Sequence, residues 1–348
     1  LQLADHRLRL LLERFPDVAV QLILFPLEGY NRDEHFWTAL TAIQRERLLR
    51  NLVARYAAYP QVFWLTTNDA HYGPKFPNSN AMAREVGEFL MKHDPWQHPR
   101  STGHARRIPF YFGSEPWATY VHIEHAHDLN AKEYGKYHSF AKPVFLGDDR
   151  YEQDHPARID PLYMRCWQRR LFWTWLFSGG STNYGGRWFA VHPYSTTGNR
   201  AIEYRARPNT IFDQQLTGLD SVRPIRDYFD ARNIELSDFE PDQSLIANLD
   251  GAADVAAPKL MRRGQVEFLI YHPHAAADGQ AARPNEAATA QFRIDLRGAS
   301  GAFIVEWYRA EDGQSQAGGE LTAGKQCELT APWMGADVVV RILKKPPS

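Results

Sequence analysis

Apolar residues along this chain keep two alternating rhythms. Leu8, Leu11, Leu12 and Phe15 recur at helical spacing, and Pro16-Asp17 interrupts them before the apolar run from Val18 to Phe25, which reads as a buried strand. Leu48, Leu49, Leu52, Val53 and Tyr56 mark a helix that ends before Pro60, and Val62 to Thr67 form a second apolar run. Met82, Val86, Phe89 and Leu90 predict the next helix. Short strands are predicted near Arg100 to His104 and over Thr119 to Glu124, a polar helix around Ala131 to Phe140, and a strand over Pro143 to Gly147. Asp160-Pro161 is a helix start, with a capping carboxylate followed by proline at the first helical position. That helix carries Trp167, Leu171 and Trp175 to a stop at Gly179-Gly180, and Ser181 to Gly185 reads as the last strand of the series.

Strands that alternate with helices predict a parallel α/β architecture. Six such strands precede residue 185, and a closed barrel needs eight. The expectation is a TIM (β/α)8-type barrel that lacks its first two strands, over residues 1–240. The opening Leu1-Gln2-Leu3, with neither Met nor a basic-then-apolar leader, fits a removed signal peptide or a fragment, and the strand count favours a chain truncated at its N-terminus. Such a barrel exposes two unpaired edges and is expected to be poorly stable alone. After about residue 240 the rhythm shortens. Ser244 to Leu249, Gln265 to Tyr271, Ala290 to Leu296, Gly301 to Tyr308, Glu320 to Thr330 and Asp337 to Leu343 read as strands, with turn signals at Asp278-Gly279 and Asp312-Gly313. Residues 241–348 are therefore expected to form a C-terminal all-β sandwich.

Two of the predicted strands end on carboxylates. Val62 to Thr67 runs into Asn68-Asp69, and Pro143 to Leu146 runs into Gly147-Asp148-Asp149-Arg150-Tyr151-Glu152, about eighty residues later. In a barrel of alternating strands and helices, the carboxyl ends of different strands converge on one pocket. Two carboxylates in one pocket are the minimal equipment for cleaving a glycosidic bond. Asn68 would bind a sugar hydroxyl beside Asp69, and Tyr151 would hydrogen-bond to an acid of the second cluster. Gly147 is read as the sharp turn at that strand's end. The bland alternatives are an Asx turn or helix cap at Asp69 and a solvated acidic loop before Asp160. His122, His125 and His127, with His98 and His104 nearby, invite a metal reading, but His122 and Glu124 share one face of a strand while His125 takes the other. Hydrogen bonding to sugar or a structural role is preferred, and no metal or cofactor is expected. Tyr184 and Trp188, at the last strand, would floor a sugar subsite.

Composition narrows the partners. A net charge of -1 argues against nucleic acid or an anionic membrane as the main partner, and no run of about 18 apolar residues predicts a membrane span. The 10 Trp, 16 Tyr and 19 Phe suit a carbohydrate cleft, or simply fill a large core. Cys166 and Cys327 fall in different predicted domains, so no disulfide is expected. Oligomeric state is not readable.

The order of these motifs resembles the apiosidase-like glycoside hydrolases, in which a TIM barrel precedes a small β-sandwich labelled collagen-binding. The resemblance rests on Lys142-Pro143-Val144, Gly147-Asp148-Asp149-Arg150-Tyr151-Glu152, Arg169-Arg170, Ser178-Gly179-Gly180 and Tyr184-Gly185. It covers roughly residues 1 to 345. It implies a retaining glycosidase with Asp69 as general acid/base and the acid of the seventh barrel strand, here Asp148, as nucleophile. Two departures stand out: Asp148 replaces the family's Glu and Asp149 its Pro. Aspartate is one methylene shorter, enough to move the attacking oxygen by about 1 Å, and Glu152 is the rival for the role. Asn68, His122, Tyr151, Glu152, Tyr184 and Trp188 would line the sugar pocket. The implied substrate is a plant-type polysaccharide or oligosaccharide, from which a secreted or periplasmic location is expected. The rival readings are a catalytically inactive carbohydrate-binding protein, motivated by the Glu-to-Asp departure, and a metal-dependent hydrolase.

Overall fold

The computed structural model describes residues 2–26, 34–104, 109–124, 132–148, 161–183, 218–249, 257–274 and 286–346. The chain is a mixed α/β protein that divides into two compact units, Leu1–His125 with Tyr137–Gly147, and Ala126–Lys136 with Asp148–Ser348.

The first unit runs α1 (Gln2–Arg14), β1 (Val20–Pro26), α2 (Glu34–Ala39), α3 (Ala42–Tyr56), β2 (Val62–Asn68), α4 (Pro77–His93), β3 (Arg100–Ser101), β4 (Val121–Glu124) and β5 (Val144–Asp148, its last residue counted with the second unit), while the short α5 (Lys132–Tyr137) between β4 and β5 falls in the second unit up to Lys136. β1, β2 and β3 pair in parallel, with Val20 opposite Val62 and Trp64 opposite Arg100. The ladder carries on past β3, where the Thr119 N–H donates to Arg100 O (2.8 Å) and Ser101 Oγ donates to Tyr120 O (2.7 Å). The Val121 N–H then donates to Pro143 O (2.8 Å) at the start of β5. The strands therefore run side by side in chain order, and their carboxyl ends share one side.

Local chemistry explains the helix ends. Thr41 and Gln44 close a capping box on α3, each side chain bonding the other's backbone N–H. α4 starts with Pro77 in its first turn and buries Met82, Val86 and Leu90, the stripe its spacing predicts. At the amino ends of β2 and β3, Asp94 accepts from Trp64 Nε1 (2.8 Å), His98 Nδ1 (2.9 Å) and the backbone N–H groups of Trp96 and His98. His98 is thus a structural histidine, far along the strands from their carboxyl ends. Of the α1 stripe, Leu8 and Leu12 are buried, whereas Leu11, Phe15 and also Ile23 of β1 are exposed.

The second unit contains α6 (Pro161–Leu176), β6 (Ser181–Thr182) and α7 (Gly218–Arg232), followed by β7 (Glu240–Pro241), β8 (Ile246–Asn248), β9 (Lys259–Arg263), β10 (Glu267–His272), β11 (Thr289–Asp295), β12 (Ala302–Arg309), β13 (Ser315–Thr322), β14 (Gln326–Met334) and β15 (Val338–Lys344). One antiparallel sheet has the order β13-β12-β15-β10-β9-β7, and a second has β14-β11-β8. β11 and β14 alternate buried and outward residues, as strands with one dry face do. Phe268, Ile270, Phe292, Ile294, Phe303, Val305, Val340 and Ile342 meet in the core between the sheets. The segment Glu320 to Thr330, read from sequence as one strand, is two. Gly324, with φ of 86°, turns the chain between β13 and β14. β9 escaped the sequence reading, because Lys259, Arg262 and Arg263 hide its short apolar centre.

β10 is buried on both faces. Its second face meets α6, where Trp173 stacks on Tyr271 with ring centres 5.8 Å apart. Arg169 of α6 forms a two-pronged ion pair with Asp337 (2.7 and 2.9 Å), and Tyr271 donates its hydroxyl to the same carboxylate (3.0 Å). Arg170 donates to the carbonyl of Pro273 (2.5 Å). Burial pushes the Asp337 carboxyl up, but Arg169, Arg170 and Tyr271 outweigh it and hold it at about 2. α6 and the antiparallel sheet are therefore keyed together by a buried charge network, not by apolar contact alone.

Candidate active site

The carboxyl end of β2 carries the first candidate acid. Thr66 and Thr67 are buried, Asn68 and Asp69 half-buried, so the polar character rises as the strand leaves the core. Asp69 has φ of 52°, a left-handed conformation that Asp and Asn adopt more readily than other side chains. Asn68 Nδ2 donates to Asp69 Oδ2 at 3.4 Å, which sets the amide beside the acid. Asp69 does not cap α4: that helix starts at Pro77, and its cap residue Phe76 makes no side-chain cap bond.

The segment after β3 lies alongside. The Gly103 N–H donates to Thr67 O (2.8 Å), and Ala70 and His104 form a parallel bridge. Gly103 has no room for a side chain. A Cβ there would sit 2.5 Å from Glu124 Oε1 and 3.2 Å from Asn68 Cα. The Glu124 carboxylate, at the end of β4, is thereby placed against the strand end that bears Asn68 and Asp69. It is buried, at 3% exposure. Sequence reasoning singled out two acidic strand ends and passed over this third. The signal was present, since the predicted strand Thr119 to Glu124 also stops on a carboxylate.

His122 and Glu124 do share a face, with Nε2 and Oε1 3.6 Å apart. Gln21 Nε2 donates to His122 Nδ1 (3.3 Å), which assigns the imidazole proton to Nε2, on the Glu124 side. Burial pushes the His122 pKa down to about 3, and His104 adds to the shift, so the ring is neutral. Gly147 lies inside β5, not at a turn beyond it, and its role is space. A Cβ at this position would fall 1.9 Å from His122 Cε1. Gly147→Ala is accordingly expected to displace the His122 ring and to cost about 1–3 kcal/mol by overpacking. A urea unfolding midpoint equal to the wild type would refute that packing account.

The other sequence candidates fall elsewhere. Asp148 ends β5, but its side chain lies outside the described residues, as do Tyr151, Glu152, Tyr184, Trp188, His125 and His127. Trp64, Trp117, Trp173 and Trp175 are fully buried, so the aromatic richness of the described residues largely builds core. Trp96, at 72% exposure, is instead on the surface. Among the described residues no group of three His, Cys, Asp or Glu side chains is arranged to hold a metal ion, and no helix is long and apolar enough to cross a membrane.

Comparison with known proteins follows from this geometry. A family model described as the apiosidase-like catalytic domain matches residues 19–199, which include β1 to β6 and both acidic strand ends. The crystal structure of a glycoside hydrolase family 5 protein from Bacteroides vulgatus superposes with a TM-score of 0.72 at 16% identity, covering 94% of this chain and 70% of its own. A second structure, described only as a glycoside hydrolase, gives a TM-score of 0.68 at 17% identity, covering 88% of this chain and 69% of its own. At these identities the likeness concerns the fold. No curated protein matches the sequence.

Proposed function

We propose that this chain, which belongs to the apiosidase-like family and is a glycosidase, cleaves its glycosidic bond by a retaining double displacement. Asp69 serves as general acid and then general base, and Asp148 as nucleophile. The observation that carries the assignment is the carboxyl end of β2: a half-exposed Asp69 in left-handed backbone, paired with the Asn68 amide and surrounded by buried groups. In the first step Asp148 attacks the anomeric carbon while Asp69 gives its proton to the leaving oxygen. In the second, Asp69 takes a proton from water, which releases the sugar and restores both carboxyl groups. Asn68, His122, Tyr151, Glu152, Tyr184 and Trp188 line the sugar pocket.

The substrate is a plant-type polysaccharide or oligosaccharide. In this reading the parallel strands are strands three to eight of an eight-stranded barrel over residues 1–240, and residues 241–348 are the sandwich. The exposed Leu11, Phe15 and Ile23 beside β1 support it, since an outer barrel strand and its helix would cover such a surface. Product anomers followed by proton NMR in the first minutes of turnover test the mechanism. Retained configuration is expected, and inversion would remove the nucleophile role. Asp148→Asn is expected to stop turnover, while Glu152→Gln weakens sugar binding and raises KM without stopping turnover. The reverse pattern, in steady-state assays of both variants, would transfer the role to Glu152.

A further inference from the structure

Three buried hydroxyls bracket the candidate acid. Thr67 precedes Asn68-Asp69, Tyr72 follows it, and Thr102 lies across on the neighbouring strand end. Thr67 Oγ1 and Thr102 Oγ1 are 2.7 Å apart, Tyr72 Oη and Thr102 Oγ1 2.6 Å, and Tyr72 and Thr67 also hydrogen-bond directly. All three residues are buried, at 5% exposure or less. Each hydroxyl has one proton to donate and lone pairs to accept, so a closed triangle lets every member do both, and such rings strengthen cooperatively.

The loop held by this ring is the one that needs holding. Between Thr67 and Tyr72 the chain leaves β2, takes the left-handed turn at Asp69, and bridges Ala70 to His104. Left-handed backbone at a non-glycine residue is strained and persists only where its surroundings over-determine it. Downstream, Asn80 bonds both backbone groups of Gly73 (3.0 and 2.8 Å), and the Tyr72 ring packs edge-on against Phe112 with centres 4.8 Å apart. Both ends of the loop are thus fixed while its carboxylate stays half-exposed.

We infer that Tyr72 and Thr102 are positioning residues for general acid catalysis, which aim the Asp69 carboxyl at the leaving oxygen without touching substrate. The inference rests on the acid/base role given to Asp69 above. Among the described residues, the charged group that acts on this ring is Glu124 of β4, which raises the Tyr72 phenol further. The Tyr72 phenol is pushed up by burial, more strongly than Thr102 and Thr67 pull it down, so it stays protonated over the working range.

Leaving-group dependence separates positioning from plain stability. A 2,4-dinitrophenolate leaves without protonation, whereas a phenolate needs the acid. Tyr72→Phe and Thr102→Val are expected to lower kcat/KM, which reports the first step, by about 10²-fold on phenyl β-D-apioside and by no more than about threefold on the 2,4-dinitrophenyl analogue. Thr102→Ser, which keeps the hydroxyl, should restore the phenyl rate. Equal slowing of both substrates, or of neither, overturns the inference and leaves the glycosidase mechanism standing. If Asp69→Asn matches the wild type on both, the acid/base assignment itself fails and this inference with it.

Discussion

Asp69→Asn is expected to reduce turnover of unactivated glycosides by about 10²–10⁴-fold, the usual worth of a placed general acid. The substitution keeps the size of the side chain, and asparagine tolerates the left-handed backbone at φ of 52°. The loop should therefore hold its shape while losing its proton. The thermal midpoint should stay close to the wild-type value, which separates lost chemistry from lost folding. The loss in kcat/KM, which reports the first step, should also depend on the leaving group, large for alkyl or phenyl glycosides and small for dinitrophenyl ones. Saturated turnover of the dinitrophenyl substrate is then limited by the second step, and added azide should raise it by replacing water as the attacking group. Steady-state kinetics over such a substrate pair decide the matter. A rate within about threefold of wild type on unactivated substrates would mean that Asp69 does not protonate the leaving group.

Asp337→Ala is expected to be the most destabilising single change in the second unit. Removing one partner of a buried ion pair strands the other charge, at a cost of about 3–5 kcal/mol. Here the stranded group is Arg169, whose side chain is 3% exposed, and Tyr271 loses its acceptor as well. Urea unfolding followed by tryptophan fluorescence is a suitable readout, because Trp173 lies against Tyr271. The double variant Arg169→Met, Asp337→Leu should recover much of the loss by replacing the pair with apolar bulk. The pH dependence has a definite sign. The Asp337 pKa is held at about 2 in the folded chain, below its ordinary 3.8. Its contribution is thus complete above about pH 4 and fades as pH falls toward 2. If Asp337→Ala unfolds at the wild-type urea concentration, the network does not key α6 to the antiparallel sheet.

That network was invisible in the sequence for a physical reason. Arg169-Arg170 is a pair of charges within an apolar helix, and nothing local to it points to Asp337, more than 160 residues downstream. What periodicity can report is which face of an element is dry. It therefore found β1, β2, β4, β5 and β11, and the stripe of α4. It failed where polar residues fill a strand, as in β9, and where a glycine divides one apolar run into two strands, as at Gly324. In the site, the acid and amide of Asn68-Asp69 were legible because a buried strand ended on them. Glu124 carried the same signal and was passed over, whereas Gly103 and the Tyr72 hydroxyl were not legible, because their significance lies in contacts between neighbouring strands. Gly147 shows the same limit. Its position was noticed, but its purpose, leaving room for the His122 ring, appears only when β4 and β5 stand side by side.

The most direct test of the two-carboxylate account is the separation of the Asp69 and Asp148 carboxyl groups in a crystal structure of the folded protein. A retaining mechanism predicts about 5 to 5.5 Å. A value of about 6.5 to 9.5 Å would make the enzyme inverting, and a larger one would mean that these two acids do not act on the same bond.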